Sequence, residues 1–178
     1  MKKVYILLTR SDTFFSKFIY MITRAEYTHA SIALDSELNK LYSFGRKYKY
    51  SILPAGFIHE SVNRGVMGSS DNMKCAVYRL WITDESYNRL QNRIRHMEAN
   101  AEVYRYNILG LPMCYLHIEK ERHYHYFCSQ FVSNMLIKSG ALKMEKAPSL
   151  IHPSDFQKLP HARRIFEGTM GELRTIGL

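Results

Sequence analysis

Apolar and polar residues follow two readable periods along this chain, and each period predicts a set of elements. Val4-Tyr5-Ile6-Leu7-Leu8 is a short apolar run between Lys2-Lys3 and Thr9-Arg10, which predicts an opening strand over 3–8. Asp12-Thr13 can cap a helix over 13–24, where Phe14, Phe18, Met21 and Ile22 recur at helical spacing. Thr28 to Leu34 alternates as a strand, Asp35 to Lys40 supplies a polar turn, and Leu41 to Phe44 returns as its partner, closed by Gly45. The stretch 46–73 holds turn signals and one short strand near Phe57-Ile58. Lys74 to Ile82 alternates again. Thr83 or Asp84 then caps a helix over 85–99 whose inner face is Tyr87, Leu90, Ile94 and Met97. Gly110-Leu111-Pro112 marks a loop within 104–126. A helix over 127–139 carries the stripe Phe131, Val132, Met135 and Leu136 and stops at Gly140. The tail, with Pro148, Pro153 and Pro160, reads as loop plus a short helix around 154–159. Strands and helices in this order predict an α+β layer arrangement.

Composition narrows the picture. The chain has 178 residues, 46% of them apolar, which is enough for a sizeable core. With no Pro/Gly/Ser-rich linker and no repeat, one domain spanning 1–178 is expected. The first apolar run is too short for an export signal, and no stretch reaches the ~20 apolar residues of a membrane span. A cytoplasmic location is the expectation. Three cysteines, an odd number, fit thiols in a reducing compartment. The formal charge of +9 is scattered along the chain and reads as a soluble surface, with no nucleic-acid partner expected. Gly45-Arg46-Lys47-Tyr48-Lys49-Tyr50 interleaves basic and aromatic residues as single-strand binders do, but a solvated loop after a strand accounts for it better.

Cys128 opens the 127–139 helix, where unpaired N–H groups and the helix dipole favour a thiolate and can face a developing oxyanion. His29, on the alternating strand, is the candidate base. Each has an inert counterpart reading: helix-start cysteines are usually core, and strand histidines are usually packed or exposed. Cys75 and Cys114 read as structural. Cys114-x-x-His117 with His125-x-x-Cys128 has zinc-like spacing, against which stands the lack of a glycine knuckle over Ile118 to Tyr124. His123-x-His125 reads as a strand edge. No Gly-rich phosphate loop, HExxH pair or GxSxG elbow is present.

Thr28-His29-Ala30-Ser31-Ile32-Ala33-Leu34, Leu41-Tyr42-Ser43-Phe44-Gly45 and Tyr126-Phe127-Cys128-Ser129-Gln130-Phe131-Val132 together resemble the circularly permuted, YiiX-like branch of the NlpC/P60 papain-like superfamily. In that branch the histidine hairpin precedes the cysteine helix. The resemblance covers residues 3–45 and 104–156. It implies a small antiparallel sheet packed against the nucleophile helix, and a cysteine hydrolase or acyltransferase acting on amide or acyl bonds. Cell-wall-type peptides or lipid acyl groups would be its substrates, with no cofactor. It also implies a third polar residue orienting the histidine. The alternation of the hairpin puts Ser43 there, with Glu60 as the alternative. The Ser129 N–H, and more weakly Tyr126, are the oxyanion candidates. Two alternatives stay open: a ligand-binding relative without catalysis, and a structural zinc domain.

Overall fold

The computed structural model describes residues 1–10, 25–46 and 55–178. The helix expected over 13–24 and residues 47–50 of the basic-aromatic run lie outside them. In chain order the elements are β1 (Lys2–Arg10), β2 (His29–Ala33), β3 (Leu41–Arg46), β4 (Ala55–Glu60), α1 (Gly65–Gly68), β5 (Lys74–Ile82) and α2 (Asp84–Ala99). There follow β6 (Arg105–Tyr106), α3 (Gly110–Tyr115), β7 (His125–Tyr126), α4 (Cys128–Lys138), 3-10 turns at Pro148–Leu150 and Pro153–Lys158, β8 (Ala162–Thr169) and α5 (Met170–Ile176). The molecule is α+β.

One eight-stranded sheet runs β7-β6-β4-β3-β2-β1-β5-β8, antiparallel at every pairing except β6 with β7. The position of β1 explains its unbroken apolar run. It lies between β2 and β5 and is covered on both faces, so Val4 to Leu8 are all buried and alternation has no purpose there. Val4, Ile6 and Leu8 point to one core, together with Leu90, Ile94 and Met97 of α2 and Phe131, Val132, Met135 and Leu136 of α4. Tyr5 and Leu7 point to the other, with Leu41, Met67, Val77, Met170 and Leu173. Each such side chain contributes about 1.5–3 kcal/mol by leaving water.

The capped helix α2 forms as its sequence implies: Thr83 Oγ1 accepts from the Ser86 N–H at 3.1 Å. Helix α4 differs from a simple amphipathic one. Every residue from Cys128 to Leu136 is buried, so its polar face must be satisfied internally, and Ser133 Oγ donates to Ser129 O at 2.8 Å. Gly140, at φ +74°, takes the left-handed turn that ends it.

Three parts of the chain depart from the expectations. Gly110-Leu111-Pro112, expected to mark a loop, opens α3, which lies between β6 and β7. The tail adds an edge strand, β8, paired along β5, and the capped helix α5. Strand β3 runs through Gly45 to Arg46 instead of stopping at the glycine.

Candidate active site

Alternation sends Ala30 and Ile32 of β2 into the helix-covered core and His29, Ser31 and Ala33 toward the opposite face. Contact between β2 and α4 is made possible by a split in the sheet. The β2–β3 pairing is confined to Ile32↔Tyr42 and Ala33↔Leu41, whereas β3 and β4 stay paired out to Arg46↔Ala55. Toward His29, therefore, β2 parts from β3, and the first turn of α4 meets the sheet at this opening. The backbone groups freed there are used locally. Ser43 Oγ donates to Ala30 O at 2.7 Å, and the Ala30 N–H lies beside the Cys128 sulfur and favours its charge.

The sulfur is the centre of a small polar cluster. The His29 ring and the N–H groups of Ala30 and Ser129 lie beside it and favour its charge. His29 Nε2 donates to Glu60 Oε2 at 2.9 Å, which leaves Nδ1 as the nitrogen for the sulfur. Ser31 Oγ donates to the same Glu60 oxygen at 2.6 Å and lies 3.3 Å from His29 Nε2. The side chains of His29 and Glu60 are 23% and 18% exposed, while Cys128 is 4% exposed. The cluster is thus open on the imidazole–carboxylate side and closed around the sulfur.

Burial opposes charge on all three groups, and their mutual contacts overcome it. Burial would push the His29 imidazolium down. The charge of Glu60, then the hydrogen bonds to Cys128 and Glu60, hold it well above its ordinary value instead. Burial would raise Glu60, but the charge and hydrogen bond of His29 and the Ser31 hydroxyl bring it below the usual carboxylate range. Burial would raise Cys128 likewise, yet the hydrogen bond and charge of His29, with the Ala30 and Ser129 amides, bring it below an ordinary thiol. The arrangement favours thiolate, imidazolium and carboxylate in a row. By contrast, burial pushes Cys75 and Cys114 up to about 12, so both remain thiols.

Of the residues singled out in the sequence, the fold brings Cys128, His29 and Glu60 together. It does not bring Ser43 to the imidazole. Continuing the register from Ile32↔Tyr42 sets Ser43 opposite Ser31 and Gly45 opposite His29, a shift of two residues from the hairpin alternation assumed above. A Cβ on Gly45 would stand 3.7 Å from His29 Cε1 and only 2.9 Å from Ile58 Cδ1. The group that meets the imidazole is therefore Glu60, and the Ser43 hydroxyl goes to the Ala30 carbonyl. Ser129 turns its N–H to the sulfur and its hydroxyl to Ile151 O at 2.7 Å. Tyr126 packs its ring against Phe44 at 5.3 Å and Tyr104 at 6.3 Å.

The four zinc-like residues do not converge. Cys114 has its sulfur 3.7 Å from Nε2 of His152, and His125 Nδ1 donates to His123 O at 2.7 Å. Among the described residues no group of three or more His, Cys, Asp or Glu side chains is arranged to hold a metal ion, and no helix is long and apolar enough to cross a membrane.

Two buried groups at the site were not singled out. Asn107 donates through Nδ2 to Gln130 Oε1 at 3.2 Å and accepts the Gly110 N–H at 3.0 Å, tying α3 to the first turn of α4. Ser31 is the other. Its signal was available, since a residue two positions from His29 on a strand shares its face. Comparison with family models, with curated proteins and with solved structures gives no match to this chain.

Proposed function

We propose that this chain is a cysteine hydrolase or acyltransferase of the permuted NlpC/P60 type, with Cys128 as nucleophile, His29 as base and acid, and Glu60 as the residue that orients and charges the ring. The observation that carries the reading is the series Cys128–His29–Glu60, which lowers the thiol pKa and raises that of the imidazole although Cys128 is buried and His29 half-buried.

The steps follow from that order of charges. The Cys128 thiolate adds to the substrate carbonyl carbon, and the oxyanion that forms is met by first-turn amides of α4, the Cys128 N–H foremost. The C–N or C–O bond then breaks as His29 gives its proton to the departing nitrogen or oxygen, leaving a thioester on Cys128. Neutral His29 next removes a proton from water or another acceptor, whose oxygen or nitrogen attacks the thioester. Collapse returns thiolate and imidazolium. Glu60 keeps its charge throughout and stabilises the imidazolium stage, as the carboxylate of a triad does. A peptide-like amide or an acyl ester suits this cycle, and none of its steps requires a cofactor.

Alkylation with iodoacetamide at mildly acidic pH tests the reading. Cys128 is expected to react much faster than Cys75 or Cys114, and His29→Ala to slow it to their level. Equal rates at all three thiols in the wild-type protein would count decisively against it.

One observation favours a second reading, ligand binding without turnover: Cys128 is only 4% exposed. Under that reading Cys128 alkylates slowly, and a bound peptide or acyl compound raises the Tm equally in wild type and Cys128→Ser.

A further inference from the structure

Glu60 sits at an awkward level in the sheet for the work assigned to it. Its partner on β3 is Leu41, and Leu41 in turn faces Ala33 on β2, four residues from His29. The carboxylate must therefore reach back along the sheet, past Ser43, to meet the ring. Halfway between Ala33 and His29 on β2, on the same face, lies Ser31. It is fully buried, and its hydroxyl meets the carboxylate at 2.6 Å on the very oxygen that holds His29 Nε2.

We propose that Ser31 is a positioning residue of the site: its hydroxyl fixes the Glu60 carboxylate in the one rotamer that touches His29. Its hydroxyl proton goes to Glu60 at 2.6 Å, while the ring nitrogen of His29 stands farther off at 3.3 Å, so Ser31 acts chiefly through Glu60. A long carboxylate side chain has several rotamers available in the opening between β2 and β3, and a single contact to a movable imidazole selects among them weakly. A second donor on the rigid backbone of β2 selects one. The Ser31 hydroxyl and the His29 Nε2–H share Oε2, and two donors fit one carboxylate oxygen because it has two lone pairs. Loss of the hydroxyl lets the carboxylate swing away for part of the time, and the charge felt by the imidazole falls accordingly. The thiol then ionises at higher pH.

Ser31 can act this way only if Cys128, His29 and Glu60 work together as proposed above, and a single experiment separates the two ideas. The rate of Cys128 alkylation by iodoacetamide is followed by mass spectrometry of the full-length chain from pH 5 to pH 9, with folding checked by circular dichroism. Ser31→Ala is expected to slow Cys128 about threefold or more near pH 6, in the same direction as Glu60→Gln but by less. Ser31→Thr, which keeps the hydroxyl, restores most of the rate. The double variant Ser31→Ala/Glu60→Gln reacts like Glu60→Gln alone, because no charge is left for Ser31 to hold against the ring.

A general packing role would instead make the two losses multiply, which overturns the proposal. So does a Ser31→Ala profile equal to wild type while Glu60→Gln is slow; in that case the triad stands and Ser31 is only core. If neither His29→Ala nor Glu60→Gln alters Cys128, the catalytic reading falls and the role of Ser31 falls with it. Ser31→Gly serves the same comparison should the alanine variant not fold.

Discussion

Glu60→Gln removes one charge and little else, since the amide oxygen can still accept from the imidazole. The present balance depends on that charge, which is what lifts His29 against its own burial. Without it the imidazolium is lost at lower pH and the thiolate forms at higher pH, so the interval in which both coexist closes from both sides. We expect the bell-shaped pH profile of turnover to narrow and its plateau to fall about tenfold or more, each tenfold corresponding to about 1.4 kcal/mol. An unchanged alkaline limb would show that the carboxylate does not set the histidine. At this scale the sequence was readable where a local rule applies. Cys128 stands out because it starts a helix, and His29 because it alternates on a strand. The orienting residue did not stand out in the same way. Choosing between Ser43 and Glu60 requires the hairpin register and the presence of a third strand, and neither is encoded next to the histidine. Ser31 escaped for a different reason: serine in a strand is ordinary until a carboxylate from two strands away lands on it.

The element that carries the sulfur is held by aromatic contacts. Phe131, one turn beyond Cys128 and fully buried, packs its ring 5.2 Å from Phe44 of β3 and 5.8 Å from Phe57 of β4. These are the contacts that press α4 against the split sheet. Phe131→Ala is expected to cost about 3–5 kcal/mol, a large part of a typical domain's stability, measurable as a fall in the urea midpoint. Phe131→Leu should cost less, and because the helix can then shift within its slot it should slow Cys128 alkylation more than its stability loss suggests. A contrasting case is Thr83→Ala, which removes the cap of α2 at about 1 kcal/mol and should leave alkylation untouched, since that end of α2 does not touch the site. Elements with a strong period were legible: β5, α2 and α4 fall within a residue of their expected limits. Strand β8 was not. It is an edge strand of only partial burial, with Arg163 and Arg164 breaking any alternation, and its partner β5 is distant in sequence. Helix α5 did carry a signal, the Thr169-x-x-Glu172 capping box, with the Glu172 N–H on Thr169 Oγ1 and Glu172 Oε2 on the Thr169 N–H at 2.7 Å.

For the molecule as a whole, the α+β class was legible from the mixture of periods, whereas the strand order was not, because β1 pairs with two strands from separate parts of the chain. The split between β2 and β3 is a property of that order, and it makes overall stability respond to the site. His29 has its pKa raised on folding, so its contribution is complete below the ordinary histidine pKa and is lost as pH rises through the folded value. Glu60 has its pKa lowered, so its contribution is complete above the ordinary glutamate pKa and is lost as pH falls through the folded value. Both are therefore present in full between roughly pH 4.5 and 6.5. The formal charge of +9 adds self-repulsion that grows with acid, but Glu60→Gln alters that charge by one unit only, so the difference between the two proteins removes most of it. Urea unfolding of the two proteins from pH 3 to pH 9 should show wild type more stable by on the order of 1–3 kcal/mol within that window, the range of a charge-assisted hydrogen bond that is mostly buried. The gap should close at low pH as Glu60 protonates. Toward high pH it should close again and then change sign, because a buried carboxylate facing a neutral imidazole is worse than an amide in the same place. A gap that stays constant across the whole range would mean that Glu60 contributes by packing, with its charge unimportant to the fold.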